Sequence, residues 1–579
     1  MNDINICQER ILSENYRDFI LANKIPPSIE NIEVMQLCEQ KMPYDYRCVY
    51  IDATIGGTLS IEEFYYNTIP KCYGLLDNQA LNEAGISQMQ NYPTLQLRGQ
   101  NILIGFVDTG IDYENMAFRD VAGNSRIEAI WDQTIQDGTP PEGNRYGTEY
   151  TREMINQALR SESPSSIVAS KDVNSHGTFI ASVAAGSVNV EEQFSGAAPD
   201  ARIAMVKLKE AKQYLREFYK ISETVPCYQE NDIILGIQYL KNLADKLDMP
   251  LVLCIALGCN LGSHTGISPL PNILNKYSDM PRMALVTGTG NSANERKHYL
   301  GKPNQENILV GNQENKITRR EEVEIRVGDG VKGFVVELWT EIPNLLNVSV
   351  ISPSGEVLPQ LPLRKGSNGE YYFLFEKTKV YIDYRLLMEK SNSELVFFQF
   401  SNPVEGIWKI VVEQMQFVDG IFHMWITDSI FLTGEVFFLE SNPDTTITEP
   451  ANAAFPITVS YYDGIKNSID IQAGRGYTRE GRIKPDFAAP GVNIKGALPR
   501  GLYTTRTGSS VATAITAGAT ALLLEWNVYY LGQKNVSSIQ LKNLLILGTE
   551  RMQGVTYPNT MWGYGKLDLF NTFENIRRL

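Results

Sequence analysis

NILIGFVDTG, residues 101–110, is a short apolar run that ends in an acid and a glycine turn. A strand that is apolar on both faces belongs in a sheet covered on both sides. Runs of the same kind recur as ARIAMVKL (201–208), PLVLCIALG (250–258) and MALVTGTG (283–290). Between them lie stretches of helical period such as NDIILGIQYLKNLADKL (231–247). Buried strands alternating with helices predict an α/β core, a parallel sheet with helices on both faces.

The texture differs on either side of this core. Residues 1–79 mix helical patches with two strand-like runs, RCVYIDA, centred on 48–53, and IPKCYGLLD, 69–77. Residues 314–446 carry many short Val-, Ile-, Phe-, Tyr- and Trp-rich segments, among them GFVVELWT, LVFFQF and GIWKIVVEQ, separated by turn formers such as SPSGE and KGSNGE. Eight such segments predict an inserted β-sandwich of the jelly-roll kind. The α/β texture then returns over 447–579, with a helix from about Ser510 to Trp526. Four parts result: an N-terminal unit (1–79), a first core part (80–313), the insertion (314–446) and a second core part (447–579).

Composition narrows the function classes. With 52 Lys+Arg against 67 Asp+Glu the net charge is −15, and no basic run stands out, so nucleic acid is not an expected partner. The opening MNDINICQERILSENYRDFI lacks the basic start and apolar stretch of a secretory signal, and no unbroken apolar run approaches membrane-span length. A non-exported protein, cytoplasmic or spore-associated, is the expectation. The seven cysteines show no CxxC spacing or nearby His partners, so free thiols are expected and zinc is not.

Three chemically useful groups stand at Gly-flanked junctions: Asp108 at the end of the first apolar run, His176 opening NSHGTFIASVAAG, and Ser510 opening TGSSVATAITAGATALLLEW. Singly, each has a structural explanation as a turn cap, a core histidine or a helix cap. Together they supply the orienter, general base and nucleophile of acyl transfer, and the order Asp, His, Ser belongs to the subtilisin arrangement.

The segments VDTGID (107–112), SHGTFIAS (175–182), KPDFAAPG (484–491) and TGSSVATA (507–514) resemble the signatures of the subtilase family of serine peptidases. The resemblance implies a self-processing serine endopeptidase. Ser510 rather than Ser509 would be the nucleophile, and Asn291 in GTGNS an oxyanion donor of the kind worth roughly 3 kcal/mol. Ala256, Leu257 and Gly258 would form the strand that pairs with a protein or peptide substrate. Ala514 departs from the proline often found four residues after the nucleophile. His264 is read as a solvated loop histidine.

The resemblance further implies that residues 1–79 are a propeptide acting as chaperone and bound inhibitor, with autocleavage between Gln79 and Ala80. No cofactor or metal is implied for catalysis, and structural calcium is left open. A propeptide, a subtilase core and a β-rich insertion together resemble the Csp subtilases of clostridial spores. Active members of that group process a cortex-lytic prohydrolase during germination. The competing reading is a non-catalytic signalling or scaffold protein on the same fold that retains its propeptide. A weaker one makes the insertion a carbohydrate- or protein-binding module.

Overall fold

The computed structural model describes residues 2–22, 38–54, 59–61, 64–75, 83–301, 308–310, 317–358, 368–386, 392–416 and 418–578. The expected boundaries at 79/80 and 313/314 lie outside these residues.

The N-terminal unit consists of α1 (Asn2–Leu12) and an antiparallel sheet of β1 (Tyr16–Leu21), β2 (Cys38–Lys41) and β3 (Arg47–Asp52), with β3 in the middle. A disulfide between Cys7 and Cys38 ties α1 to β2, which corrects the expectation that all seven cysteines are free. The partners lie 31 residues apart in sequence, and only folding brings the helix beside the strand. The other five cysteines are free and buried. Further along, β4 (Cys72–Leu75) leaves this unit and joins the core.

The core sheet has nine strands. Its labelled members are β5 (Leu103–Asp108), β6 (Ile127–Asp132), β7 (Thr148–Thr151), β8 (Arg202–Lys207), β10 (Leu251–Ile255), β12 (Met283–Gly288), β13 (Ile457–Asp463) and β14 (Phe487–Pro490), while β9 (Tyr228–Gln229) and β11 (Leu257–Gly258) stand apart from it. The order is β13-β12-β10-β5-β8-β6-β7, with β14 beside β13 and the short Ser468–Ile469 strand at the edge. All pairings are parallel except those of β7 and of Ser468–Ile469.

Both faces of this sheet are covered, which is why its strands read as continuous apolar runs rather than alternating ones. On one face Leu103 and Val107 of β5 pack with Ile233, Ile234 and Ile237 of α3 (Glu230–Lys246). On the other, Ile104 and Phe106 pack with Ile180 and Val183 of α2 (His176–Ala185) and with Val511 and Ile515 of α5 (Ser509–Glu525). Every residue of α5 is buried. Continued to Tyr530, this helix is long and apolar enough to cross a membrane, yet 94% of its apolar window is buried inside the protein. Its small residues and the glycine facing it let it sit close to the sheet; a Cβ on Gly288 of β12 would lie 2.5 Å from Thr513 Oγ1. Beside α3 packs α4 (Pro269–Tyr277).

The insertion is two antiparallel sheets packed face to face. Val336, Leu338, Val396 and Phe398 of the six-stranded sheet meet Val323, Ile325, Val348 and Ile410 of the five-stranded one. Because the side-chain period of a strand is two, the alternate residues Val335, Trp339, Leu395 and Phe397 point the other way. They belong to the same apolar cluster as Phe19, Tyr66 and Ile69 of the N-terminal unit and Ile233 of the core. One apolar cluster therefore joins the three parts. The strands His298–Gly301, Ile308–Val310 and Thr378–Arg385 are additional to the eight segments expected. In the last of these, Lys379, Asp383 and Arg385 hide the strand pattern, although Asp383 is fully buried.

Candidate active site

Asp108 is the final residue of β5 and is 1% exposed, so its carboxylate needs partners in place of water. It has them: Oδ1 accepts the Thr109 N–H at 2.7 Å, and the two oxygens lie 2.8 and 2.9 Å from His176 Nδ1. His176 can approach this closely because Gly177 follows it. A Cβ on Gly177 would stand 2.1 Å from the Gly110 carbonyl oxygen, so a side chain there would push the start of α2 off the turn after β5.

Asp172 was not singled out in the sequence. Its Oδ1 accepts the Ser175 N–H at 2.9 Å and the Thr109 hydroxyl at 2.9 Å, and its Oδ2 accepts the Thr178 N–H at 2.8 Å and hydroxyl at 2.7 Å. Thr109 Oγ1 in turn accepts the Gly177 N–H at 2.9 Å. Thus one carboxylate caps the first turn of α2 and ties it to the residue after Asp108. The available signal was an acid four residues before the histidine, at capping distance from a helix start. A cap of this kind is worth about 1–2 kcal/mol. Asp172→Ala is expected to lower stability by that amount, read from the denaturant midpoint, and to lower kcat more than it raises KM, because His176 loses its support.

The second residue of α5 is Ser510, whose Oγ lies 3.2 Å from His176 Nε2. With Nδ1–H donated to Asp108, Nε2 is the basic nitrogen facing the hydroxyl. Ser509 is committed elsewhere: its Oγ accepts the Gly290 N–H at 3.1 Å, and its own N–H donates to Asn291 Oδ1 at 2.9 Å. That bond fixes the amide of Asn291 and leaves Nδ2 as its donor end.

Leu257 and Gly258 pair antiparallel with Leu75 and Gly74, and Ala256 links them to β10. The other edge of β4 pairs with β9, Cys72 opposite Gln229 and Tyr73 opposite Tyr228. The strand expected to hold substrate is thus occupied by the chain's own segment. Gln79 and Ala80 lie outside the described residues. His264 is not solvated: it is 1% exposed and stacks on Trp425 at 3.9 Å, with burial holding its pKa down at about 3. The insertion supplies Trp425, a partner that the local sequence of the loop does not reveal. Among the described residues no group of three or more His, Cys, Asp or Glu is placed to hold a metal.

The model of the Subtilase family matches residues 99–319 and 433–565, well over half of the chain. The chain belongs to the subtilase family. This subtilase has a subtilisin-like α/β fold, and it is similar to the solved Clostridium perfringens CspB protease. That match has a TM-score of 0.75 and 29% identity, covering 86% of this chain and 97% of that one. It is also similar to serine protease AprX of Bacillus subtilis (strain 168), 31% identical over 153 residues, 23% of this chain and 33% of AprX. Subtilisin-like protease SBT3.4 of Arabidopsis thaliana is 34% identical over 180 residues, 28% of this chain and 21% of that protein. Membrane-bound transcription factor site-1 protease of Mus musculus is 30% identical over 135 residues, 22% of this subtilase and 12% of that protein. The matched part spans no more than a third of these curated relatives' length.

Proposed function

We propose that this subtilase cuts its own chain between Gln79 and Ala80 and hydrolyses peptide bonds of protein substrates through an acyl-enzyme at Ser510. The observation that carries this reading is the continuous hydrogen-bond line from Asp108 through His176 to Ser510. His176 Nε2 takes the hydroxyl proton as Oγ attacks the carbonyl, and Asp108 holds the tautomer and stabilises the imidazolium. The developing oxyanion is met by Asn291 Nδ2 and the Ser510 backbone N–H at the start of α5. The proton passes to the leaving amine, and water repeats the sequence on the ester. Side chains and backbone amides of this chain suffice for each step.

The pairing of β4 with Leu257–Gly258 supports the reading of residues 1–79 as a propeptide, since the paired segment ends at Leu75, shortly before Gln79. Similarity to CspB protease supports the role implied by the Csp resemblance: processing of a cortex-lytic zymogen during spore germination, in the cytoplasm or the spore. The same occupied strand favours the second reading, a non-catalytic protein that keeps its propeptide. A serine-reactive fluorophosphonate separates the two. The expected result is one adduct, mapped to Ser510, and a large fragment whose N-terminal sequence begins at Ala80; a protein that takes up no label in any preparation supports the non-catalytic reading instead.

A further inference from the structure

The residue before His176 is Ser175, and its backbone is left-handed, with φ 74° and ψ −2°, a conformation that residues other than glycine rarely adopt. That turn makes His176 the first residue of α2. Three groups hold Ser175 in it. Its N–H donates to Asp172 Oδ1 at 2.9 Å, and its carbonyl accepts the Phe179 N–H at 3.2 Å as the helix begins. The third is Arg506: Nη1 donates to the Ser175 carbonyl at 3.4 Å, and Nη2 donates to the Ser175 hydroxyl.

Arg506 lies 331 residues further along the chain. It ends the short strand Tyr503–Arg506 and stands four residues before Ser510. That strand pairs antiparallel with Ile494–Ala497, Arg506 opposite Ile494. The hairpin rests on α2: the Ala497 N–H donates to Ser182 Oγ at 2.8 Å, and a Cβ on Gly496 would stand 2.5 Å from Phe179 Cζ. Beyond Arg506 the Gly508 N–H donates to the Gly491 carbonyl at 2.9 Å, and α5 begins at Ser509. The segment that delivers the nucleophile therefore also brings a guanidinium onto the residue before the base.

A planar guanidinium can reach a carbonyl and a hydroxyl of one residue at once, which a lysine ammonium does less well. Its own position is fixed by Phe179, a fully buried residue of α2 whose ring centre lies 5.0 Å from Arg506 Cζ, a cation–π contact. The Ser175 carbonyl belongs to the peptide plane that carries the His176 nitrogen, so a donor on it sets the direction in which the histidine side chain leaves the backbone. Rotation of that plane changes the 3.2 Å between His176 Nε2 and Ser510 Oγ, and reacting groups are sensitive to small displacements.

We propose that Arg506 is a positioning residue for the reaction: its guanidinium fixes Ser175, and through it the reach of His176 to Ser510. It acts through Ser175 rather than on the substrate. The Asp108 side of the histidine is supported separately by Asp172 and Thr109, so Arg506 governs the contact between base and nucleophile. The assignment rests on the reading of Ser510 as nucleophile and His176 as base.

The first measurement is the rate at which a small fluorophosphonate labels Ser510 in the full-length protein, a reagent too short to span the substrate groove and so a reporter of the Ser–His pair. Arg506→Met keeps an unbranched stem over Phe179 and removes the donors; it is expected to slow labelling about 10-fold, the scale of a lost hydrogen bond to a charged group. Ser175→Ala removes one of the two acceptors and is expected to slow it about 3-fold. The double variant is expected to be no slower than Arg506→Met, because both changes act through one contact. Unchanged labelling in Arg506→Met overturns the proposal, and so do effects that multiply in the double variant.

The second measurement needs no activity. In full-length Ser510→Ala, the Nδ1 proton that His176 donates to Asp108 is followed by NMR and assigned by its loss when Asp108→Asn is added. Its exchange with water is expected to quicken about 10-fold on Arg506→Met, and unchanged exchange overturns the proposal. Should the wild type take up no label, the peptidase reading fails and this second measurement still decides the role of Arg506. Should Arg506→Met not fold, unchanged labelling and unchanged exchange in Ser175→Ala overturn it.

Discussion

Ser510→Ala is expected to yield a chain whose intact mass stays that of the full 579 residues, where the wild type is expected to separate near Gln79. Peptide hydrolysis in the variant falls by about 10⁶-fold, the loss typical when the nucleophile of such a triad is removed. The variant deletes one oxygen and leaves the helix intact, because α5 is anchored by other contacts, including the Ser509 N–H on Asn291 and the Thr513 hydroxyl on the Ser509 carbonyl at 2.7 Å. Ser509→Ala is the matched control. Its hydroxyl accepts from Gly290 N–H and its loss removes no reacting group, so self-cleavage is expected to persist. If wild type and Ser510→Ala both stay whole, the non-catalytic reading gains; if both are cut alike, another protease made the nick.

Asp108→Asn is the second large effect. The two side chains have the same shape, and the asparagine oxygen can still accept the Thr109 N–H that Asp108 Oδ1 takes at 2.7 Å. An amide NH₂ facing His176 Nδ1, however, needs an acceptor there, which moves the ring proton to Nε2. The histidine then presents a donor to Ser510 and cannot take its proton. A loss of about 10⁴-fold in kcat is expected, as for the same change in other Ser-His-Asp enzymes, with an unfolding midpoint close to that of the wild type. A kcat within tenfold of wild type would show that Asp108 does not orient the imidazole.

These two effects could be read from short segments because each segment carries its own local signal. NILIGFVDTG is apolar on both faces and ends in a turn, and the structure shows β5 over Leu103–Asp108 with its last residue buried. The apolar and small-residue stretch from Ser509 forms a helix, and it is buried all round because nothing in it is charged until Glu525. Strand period, helix period and glycine turns are properties of neighbouring residues. They carry over unchanged into the fold.

What the sequence by itself determined is therefore the α/β core, the order of Asp108, His176 and Ser510, and the β-rich character of the insertion. The tertiary structure decided which distant groups meet. His176 lies 68 residues from Asp108 and 334 from Ser510, yet touches both. Asp172 became a cap shared by α2 and Thr109, His264 found Trp425 in another part of the chain, and Cys7 found Cys38. In space it is Ser510 Oγ that lies beside His176, while Ser509 Oγ accepts the Gly290 N–H. Lys71 looks like any surface lysine in the sequence, yet its side chain is fully buried and lies 4.0 Å from Glu449, a partner far away in the chain. A polar group's burial is set by its partners, and partners far apart in the chain leave no periodic trace near it.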